Sequence, residues 1–281
     1  MLVNLKEILK TAENSGSAVG AFNTPNLECL NAVICAAEKL QIPVIISHAE
    51  LHEPVSPLRI IGPIMVAAAE KSDVAVCVHL DHCESFDYMK DALDIGFTGV
   101  MYDGSALPFD QNLRNTIKAV ELSKRYSCGV EAELGALASR ESGHSHSGEN
   151  VPVYTDPDEA KKFCSETGID AFAPSFGTAH GIYKSKPKLD FGLLEKISRK
   201  TKLPLVMHGG SGVSENDYRK GIEVGLRKIN YYSYMSRAGM LAVKQTLENG
   251  DVTFFHDLAL AAELAMRDDA EKAMKVFAGI G

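Results

Sequence analysis

Short apolar runs alternate along this chain with longer stretches whose apolar positions recur every three or four residues. The first pattern reads as buried strand, the second as amphipathic helix. Residues 1–16 predict a short amphipathic helix and residues 18–22 a first strand. Thr24-Pro25 then offers an N-cap with proline at the first helical position, and Leu27, Leu30, Ile34, Ala37 and Leu40 mark one face of the helix that follows. Further strands are read at 43–47, 74–80, 99–102, 128–134, 169–174, 203–207 and 227–230. Helices are read at 60–71, 85–95, 109–126, 156–168, 189–199, 214–224 and 233–247, with one more near 257–277. Asp156-Pro157-Asp158-Glu159 supplies a cap, a first-position proline and a third-position acid, while Gly96 and Gly168 close their helices.

Eight strand–helix units follow one another with no linker or composition shift. Parallel strands joined by right-handed crossovers satisfy that alternation. The fold class expected is therefore α/β: a single (β/α)₈ TIM barrel domain over residues 1–281 with an extra C-terminal helix. A doubly wound open sheet is the structural alternative. A length of 281 residues is ordinary for such a barrel, and 45% apolar residues suffice for its core.

Charge narrows the partners. A formal net charge of −8 with both signs interspersed argues against nucleic acid or an anionic membrane as partner. No run has the length or apolarity of a signal peptide or a membrane span, so a soluble, cytoplasmic protein is expected. The six cysteines form no CxxC pair and mostly sit in apolar runs, which reads as buried, reduced thiols.

The reactive residues fall where these strands end, and barrel sites are built at the C-terminal ends of strands. The third strand ends His79-Leu80-Asp81-His82, the fourth runs into Asp103-Gly104-Ser105, and the fifth ends Glu131-Ala132-Glu133. His180-Gly181 follows the sixth, His208-Gly209-Gly210-Ser211-Gly212 the seventh, and Asn230 ends the eighth. A lone histidine is most often a satisfied structural residue, but His82, His180 and His208 at equivalent strand ends match a catalytic metal site with an open coordination position. His79 reads as a packed neighbour rather than a ligand. Asp81, beside a ligand, can move a proton, or else orient a histidine. The glycine turn 209–212 reads as a phosphate cradle, since backbone N–H groups can approach an anion there. The polar loop 135–153 carries Glu141, His144 and His146 and reads as a lid that delivers an acid or base, its two histidines as a solvated tip, with metal ligation the alternative for them.

Together AFNTPNLE (21–28), HLDH (79–82), DGSALPFDQN (103–112), VEAELG (130–135), TGIDAFAPSFGTAHGIYK (167–184) and PLVMHGGSG (204–212) resemble the class II, metal-dependent ketose-bisphosphate aldolases, including the fructose- and tagatose-bisphosphate members. The resemblance implies that His82, His180 and His208 bind Zn²⁺, with Asp103 and Glu133 holding an alternative metal position, a second divalent ion or a monovalent cation. It implies Asp81 as proton donor and Glu141, eight residues after Glu133, as the lid base. Gly181, Gly209, Gly210, Ser211, Asn230 and Ser233 match positions that bind dihydroxyacetone phosphate. The implied activity is cleavage or condensation of a ketose (bis)phosphate, giving dihydroxyacetone phosphate and an aldehyde, by a homo-oligomer (dimer or tetramer). A catalytically silent sugar-phosphate-binding barrel, or another metal lyase or epimerase on this scaffold, is the alternative. The chain departs from the family pattern at Tyr231-Tyr232-Ser233, in the lid, and in lacking a placeable late arginine for a distal phosphate; Arg267 sits at a different register.

Overall fold

The computed structural model describes residues 1–135, 154–250 and 252–280. Eight parallel strands close into a barrel in chain order. They are β1 (Val19–Asn23), β2 (Val44–Ala49), β3 (Val76–Cys83), β4 (Gly99–Tyr102), β5 (Gly129–Leu134), β6 (Ala171–Pro174), β7 (Leu205–Met207) and β8 (Leu226–Tyr231). The helices are α1 (Leu5–Ser15), α2 (Leu27–Leu40), α3 (Leu58–Lys71), α4 (Phe86–Ile95), α5 (Phe109–Lys124), α6 (Pro157–Thr167), α7 (Phe191–Thr201), α8 (Glu215–Glu223), α9 (Ser233–Glu248) and α10 (Phe255–Ala278). A short 3₁₀ turn, Glu50–His52, follows β2. Pairing of β1 with β8, Ala21 opposite Asn230, closes the ring and rules out the open-sheet alternative.

Two apolar layers hold the barrel. The outer one lies between strands and helices and includes Val78, Leu80, Val130, Ala132, Leu134, Ile229 and Tyr231. The inner one joins Val19, Ala21, Ile45, Cys77, Ala171, Ala173 and Val206 to Leu5, Ile8, Leu9 and Ala12 of α1. Helix α1 therefore packs its apolar stripe into the N-terminal end of the barrel. It is held there by a capping box in which Asn4 Oδ1 accepts from Glu7 N (2.9 Å) and Glu7 Oε2 from Asn4 N (3.0 Å). With that end filled by side chains, the chemistry is left to the opposite rim.

Two local expectations change. The N-cap of α2 is Asn26, whose side chain accepts from Cys29 N, so Thr24-Pro25 lies before the helix; an amide oxygen at the right distance caps better than a threonine two residues early. All six cysteines are free, but Cys35 is exposed because its α2 position faces away from the barrel. Among the described residues no helix is long and apolar enough to cross a membrane.

Candidate active site

Strand alternation places every second residue toward the barrel axis. Along β5, Val130, Ala132 and Leu134 join the outer core, leaving Glu131 and Glu133 inside; along β8, Ile229 and Tyr231 pack outward, leaving Lys228 and Asn230 inside. On β3 the rule needs an exception, because Asp81 and His82 are consecutive and both line the same cavity. The exception is a β-bulge. Leu80 pairs with Val100 but Cys83 with Tyr102, so β3 carries one residue more than β4 over this step. The extra residue is absorbed by His82, whose φ of 46° lies in the left-handed region. A non-glycine residue held there is strained, and such strain is concentrated at functional sites.

The cavity that results has a volume of about 490 Å³ and is walled by the loops after the strands. Asp81, His82, Asp103, Glu133, His180, Gly181, Gly209, Ser211, Asn230 and Ser233 all line it. The ring of His208 lies 4.5 Å from that of His82 and 6.0 Å from that of His180, with His82 and His180 at 4.9 Å. One ring nitrogen from each histidine falls within 4.8 Å of the others. His82, Asp103 and Glu133 form a second such group, the arrangement expected of an alternative metal position. Gly210 stands behind the wall, its carbonyl accepting from the Tyr218 hydroxyl. Glu141, His144 and His146 lie outside the described residues.

The donor set suits a divalent ion. Asp103 Oδ2 lies 2.7 Å from His82 Nδ1, which leaves His82 Nε2 buried and without a hydrogen-bond partner. Glu131 Oε1 lies 2.7 Å from His208 Nε2, which leaves His208 Nδ1 facing Asn230 Nδ2 at 3.1 Å. A carboxylate on the outer nitrogen is how metal-binding imidazoles are held in one tautomer. Charge points the same way. Burial works against an imidazolium at His82, but Asp81, Asp103 and Glu133 more than offset it and push the ring up to about 10. Burial and the charge of Asp103 drive Glu133 well above the usual carboxylate range. Both shifts report a pocket short of positive charge, the deficit a divalent cation fills. His180 is lowered to about 3 by burial and by His82 and His208, so it stays a neutral donor.

Asp81 behaves differently from Glu133. Burial would raise its carboxyl, but His82, Lys228, His208 and His79 outweigh burial and hold it well below the usual range. Its Oδ1 accepts from Asn230 Nδ2 at 3.1 Å, which fixes the carboxylate at the cavity wall.

At the other end of the cavity, Ser211 Oγ accepts from Tyr232 N (2.8 Å), tying the loop after β7 to the loop after β8. Helix α8, which follows the glycine turn, is capped by Ser214 and carries Glu215 and Asp217 in its first turn. Helix α9 has no capping side chain and no acid in its first turn, so its N–H groups suit an anion better. Of the two unusual tyrosines, Tyr231 is a core residue, its ring 5.8 Å from that of Phe22 and 6.1 Å from that of Phe277. Tyr232 packs its ring 5.6 Å from that of His52, and both tyrosines contribute to the cavity lining. Gly209 has φ 63°, and a Cβ there would fall 2.4 Å from Ala179 O, next to His180. Gly209→Ala is therefore expected to displace the His180 loop and lower kcat/KM on the order of a hundredfold in steady-state assays. Unchanged kinetics would mean that the loop tolerates the shift.

Sequence reasoning missed Lys228 and passed over Glu131. Both are fully buried, with Lys228 Nζ 2.8 Å from Glu131 Oε2. The signal was present: each lies two residues before a rim residue, so the period of two places it one layer deeper on the same inner face. His79, two before Asp81, is likewise fully buried, 3.7 Å from Glu131 Oε2 and lowered to about 3 chiefly by burial, as suits a packed neighbour.

Comparison with known proteins gives the same direction. A family model described as fructose-bisphosphate aldolase class-II matches residues 3–281. A probable fructose-bisphosphate aldolase of Bacillus subtilis is 39% identical over 249 residues, 88% of this chain and 86% of that protein. A fructose-bisphosphate aldolase of Staphylococcus aureus is 39% identical over 251 residues, 88% of this chain and 87% of its own. Among solved structures, the YdjI aldolase of Escherichia coli K12 superposes with a TM-score of 0.87 at 35% identity, over 99% of this chain and 97% of that one.

Proposed function

The chain belongs to the class II fructose-bisphosphate aldolase family, and from that premise we propose that it cleaves and re-forms the carbon–carbon bond of a ketose bisphosphate, giving dihydroxyacetone phosphate and an aldehyde. The observation that carries this reading is the bulge that sets an ionised Asp81 beside His82, whose Nε2 has no partner, in one cavity.

We assign the ion to His82, His180 and His208 and take it to be zinc, because three imidazoles with an open position are a common zinc donor set. When bound, the ion supplies Lewis-acid polarisation of the ketone and stabilises the negative charge that develops on its oxygen. Asp103 and Glu133 are assigned to an alternative metal position with His82, or to a second divalent or monovalent cation. In cleavage, Asp81 takes the proton from the hydroxyl on the carbon that becomes the aldehyde; the bond breaks and its electron pair stays with the ketone half. In condensation Asp81 returns that proton to the new alkoxide. Asn230 orients Asp81 throughout, from 3.1 Å. Gly181, Gly209, Gly210, Ser211, Asn230 and Ser233 are assigned to dihydroxyacetone phosphate, with the phosphate between the loops after β7 and β8, where barrels frequently bind one. Glu141 is assigned to the proton at C1 of that product.

The reading takes residues 1–281 as one domain working in the cytoplasm as a homo-oligomer, a dimer or tetramer. It ranks above a silent sugar-phosphate binder because binding alone requires no strained histidine and no carboxylate kept ionised. The test is to add zinc and dihydroxyacetone phosphate in deuterium oxide and follow loss of a C1 proton by NMR. Exchange that depends on the metal is expected; its absence would remove the donor assignment.

A further inference from the structure

Beneath His208 the barrel interior holds an ion pair sealed from solvent. Lys228 and Glu131 are both 0% exposed. Lys228 Nζ touches both oxygens of the carboxylate, at 2.8 Å from Oε2 and 3.1 Å from Oε1. Oε1 also receives His208 Nε2 at 2.7 Å, and the other nitrogen of that ring faces the cavity wall at Asn230. Stability is a weak reason for such a pair, because desolvating two charges costs at least as much as an apolar replacement of the same volume. Its geometry gives a better one. A carboxylate gripped at both oxygens cannot turn, so it can accept only along the direction in which His208 presents Nε2–H.

We infer that Lys228 is a positioning residue, which by anchoring Glu131 keeps the proton of His208 on Nε2 and its Nδ1 lone pair directed at the metal. The inference rests on the assignment of His208 as a ligand. It adds a residue that touches neither metal nor substrate, at the far end of a three-member chain that runs Lys228, Glu131, His208. His79 flanks this chain and donates to none of it at hydrogen-bond distance.

The experiment measures zinc affinity by competition with a chromophoric chelator, for the wild-type protein, Lys228→Met, and the double variant Lys228→Met/Glu131→Gln, with the Tm of each zinc-free protein alongside. Lys228→Met is expected to weaken zinc binding about 10–100-fold, the range that outer partners of metal-bound histidines command. The double variant, which leaves no unpaired charge, is expected to recover Tm but not zinc affinity. A merely structural pair would instead restore both together, and a zinc affinity within about twofold of wild type in either variant would overturn the inference. A third measurement needs no variant: ¹⁵N NMR of His208 in the zinc-free wild type should show the proton on Nε2, and a ring protonated on Nδ1 alone would overturn it equally. Failure of the wild type to bind zinc at all would strike at the ligand assignment instead, so the two failures are distinguishable.

Discussion

Asp81→Ala is expected to leave zinc bound and to lower the rate of ketose cleavage by about 10²–10⁴-fold, the usual contribution of a positioned acid or base. The carboxylate is buried at the cavity wall and kept ionised by the histidines and Lys228 around it, which is the form cleavage needs. It accepts a hydrogen bond from Asn230 and stands outside the His82, His180 and His208 group to which zinc is assigned. Two readouts isolate the role. Zinc content should remain stoichiometric by elemental analysis, and metal-dependent exchange at C1 of dihydroxyacetone phosphate should persist, because Asp81 is assigned to the aldehyde-side proton and not to C1. Wild-type cleavage in the variant would take the proton role from Asp81; loss of exchange together with cleavage would make it a residue of the metal site.

His208→Ala is expected to lose the metal outright, by a larger factor than the 10–100-fold assigned to an outer partner. The ring is held by Glu131 at Nε2, which leaves Nδ1 on the cavity side beside Asn230, and its centroid lies 4.5 Å from that of the His82 ring. Truncation would also leave Glu131 with Lys228 alone, so part of the loss would be structural. The zinc-free Tm of the variant separates the parts: a small change in Tm with absent zinc assigns the loss to ligation. Full metal content after dialysis would remove His208 from the site. Both C1 exchange and cleavage should vanish with the ion, in contrast to Asp81→Ala, so the pair of variants splits metal chemistry from proton transfer.

Much of this was legible along the chain. Alternating short apolar runs and helical stretches dictate parallel strands with crossovers, and the reactive residues cluster after those strands because a barrel interior packed with side chains leaves only its rim for chemistry. Less legible was which helix N-terminus beside the cavity is left uncapped: α8 after the glycine turn is capped and acidic, while α9 begins after a tyrosine that no capping rule flags. Of the tyrosines at which the chain departs from the family pattern, Tyr231 packs its ring against Phe277, forty-six positions on in α10, a contact no local window contains.

What the sequence determined by itself was the order of elements and the position of the three histidines and Asp81 at strand ends, since these follow from local periodicity. The tertiary structure decided how they are brought together. Strict alternation would have turned His82 away from Asp81, and only the register of β3 against β4 creates the bulge that brings both inward. The carboxylates that face His82 and His208, Asp103 and Glu131, arrive from other strands, and Lys228, which grips Glu131, from the eighth. Registers and through-space contacts are properties of strand pairing, and no window of sequence contains both partners.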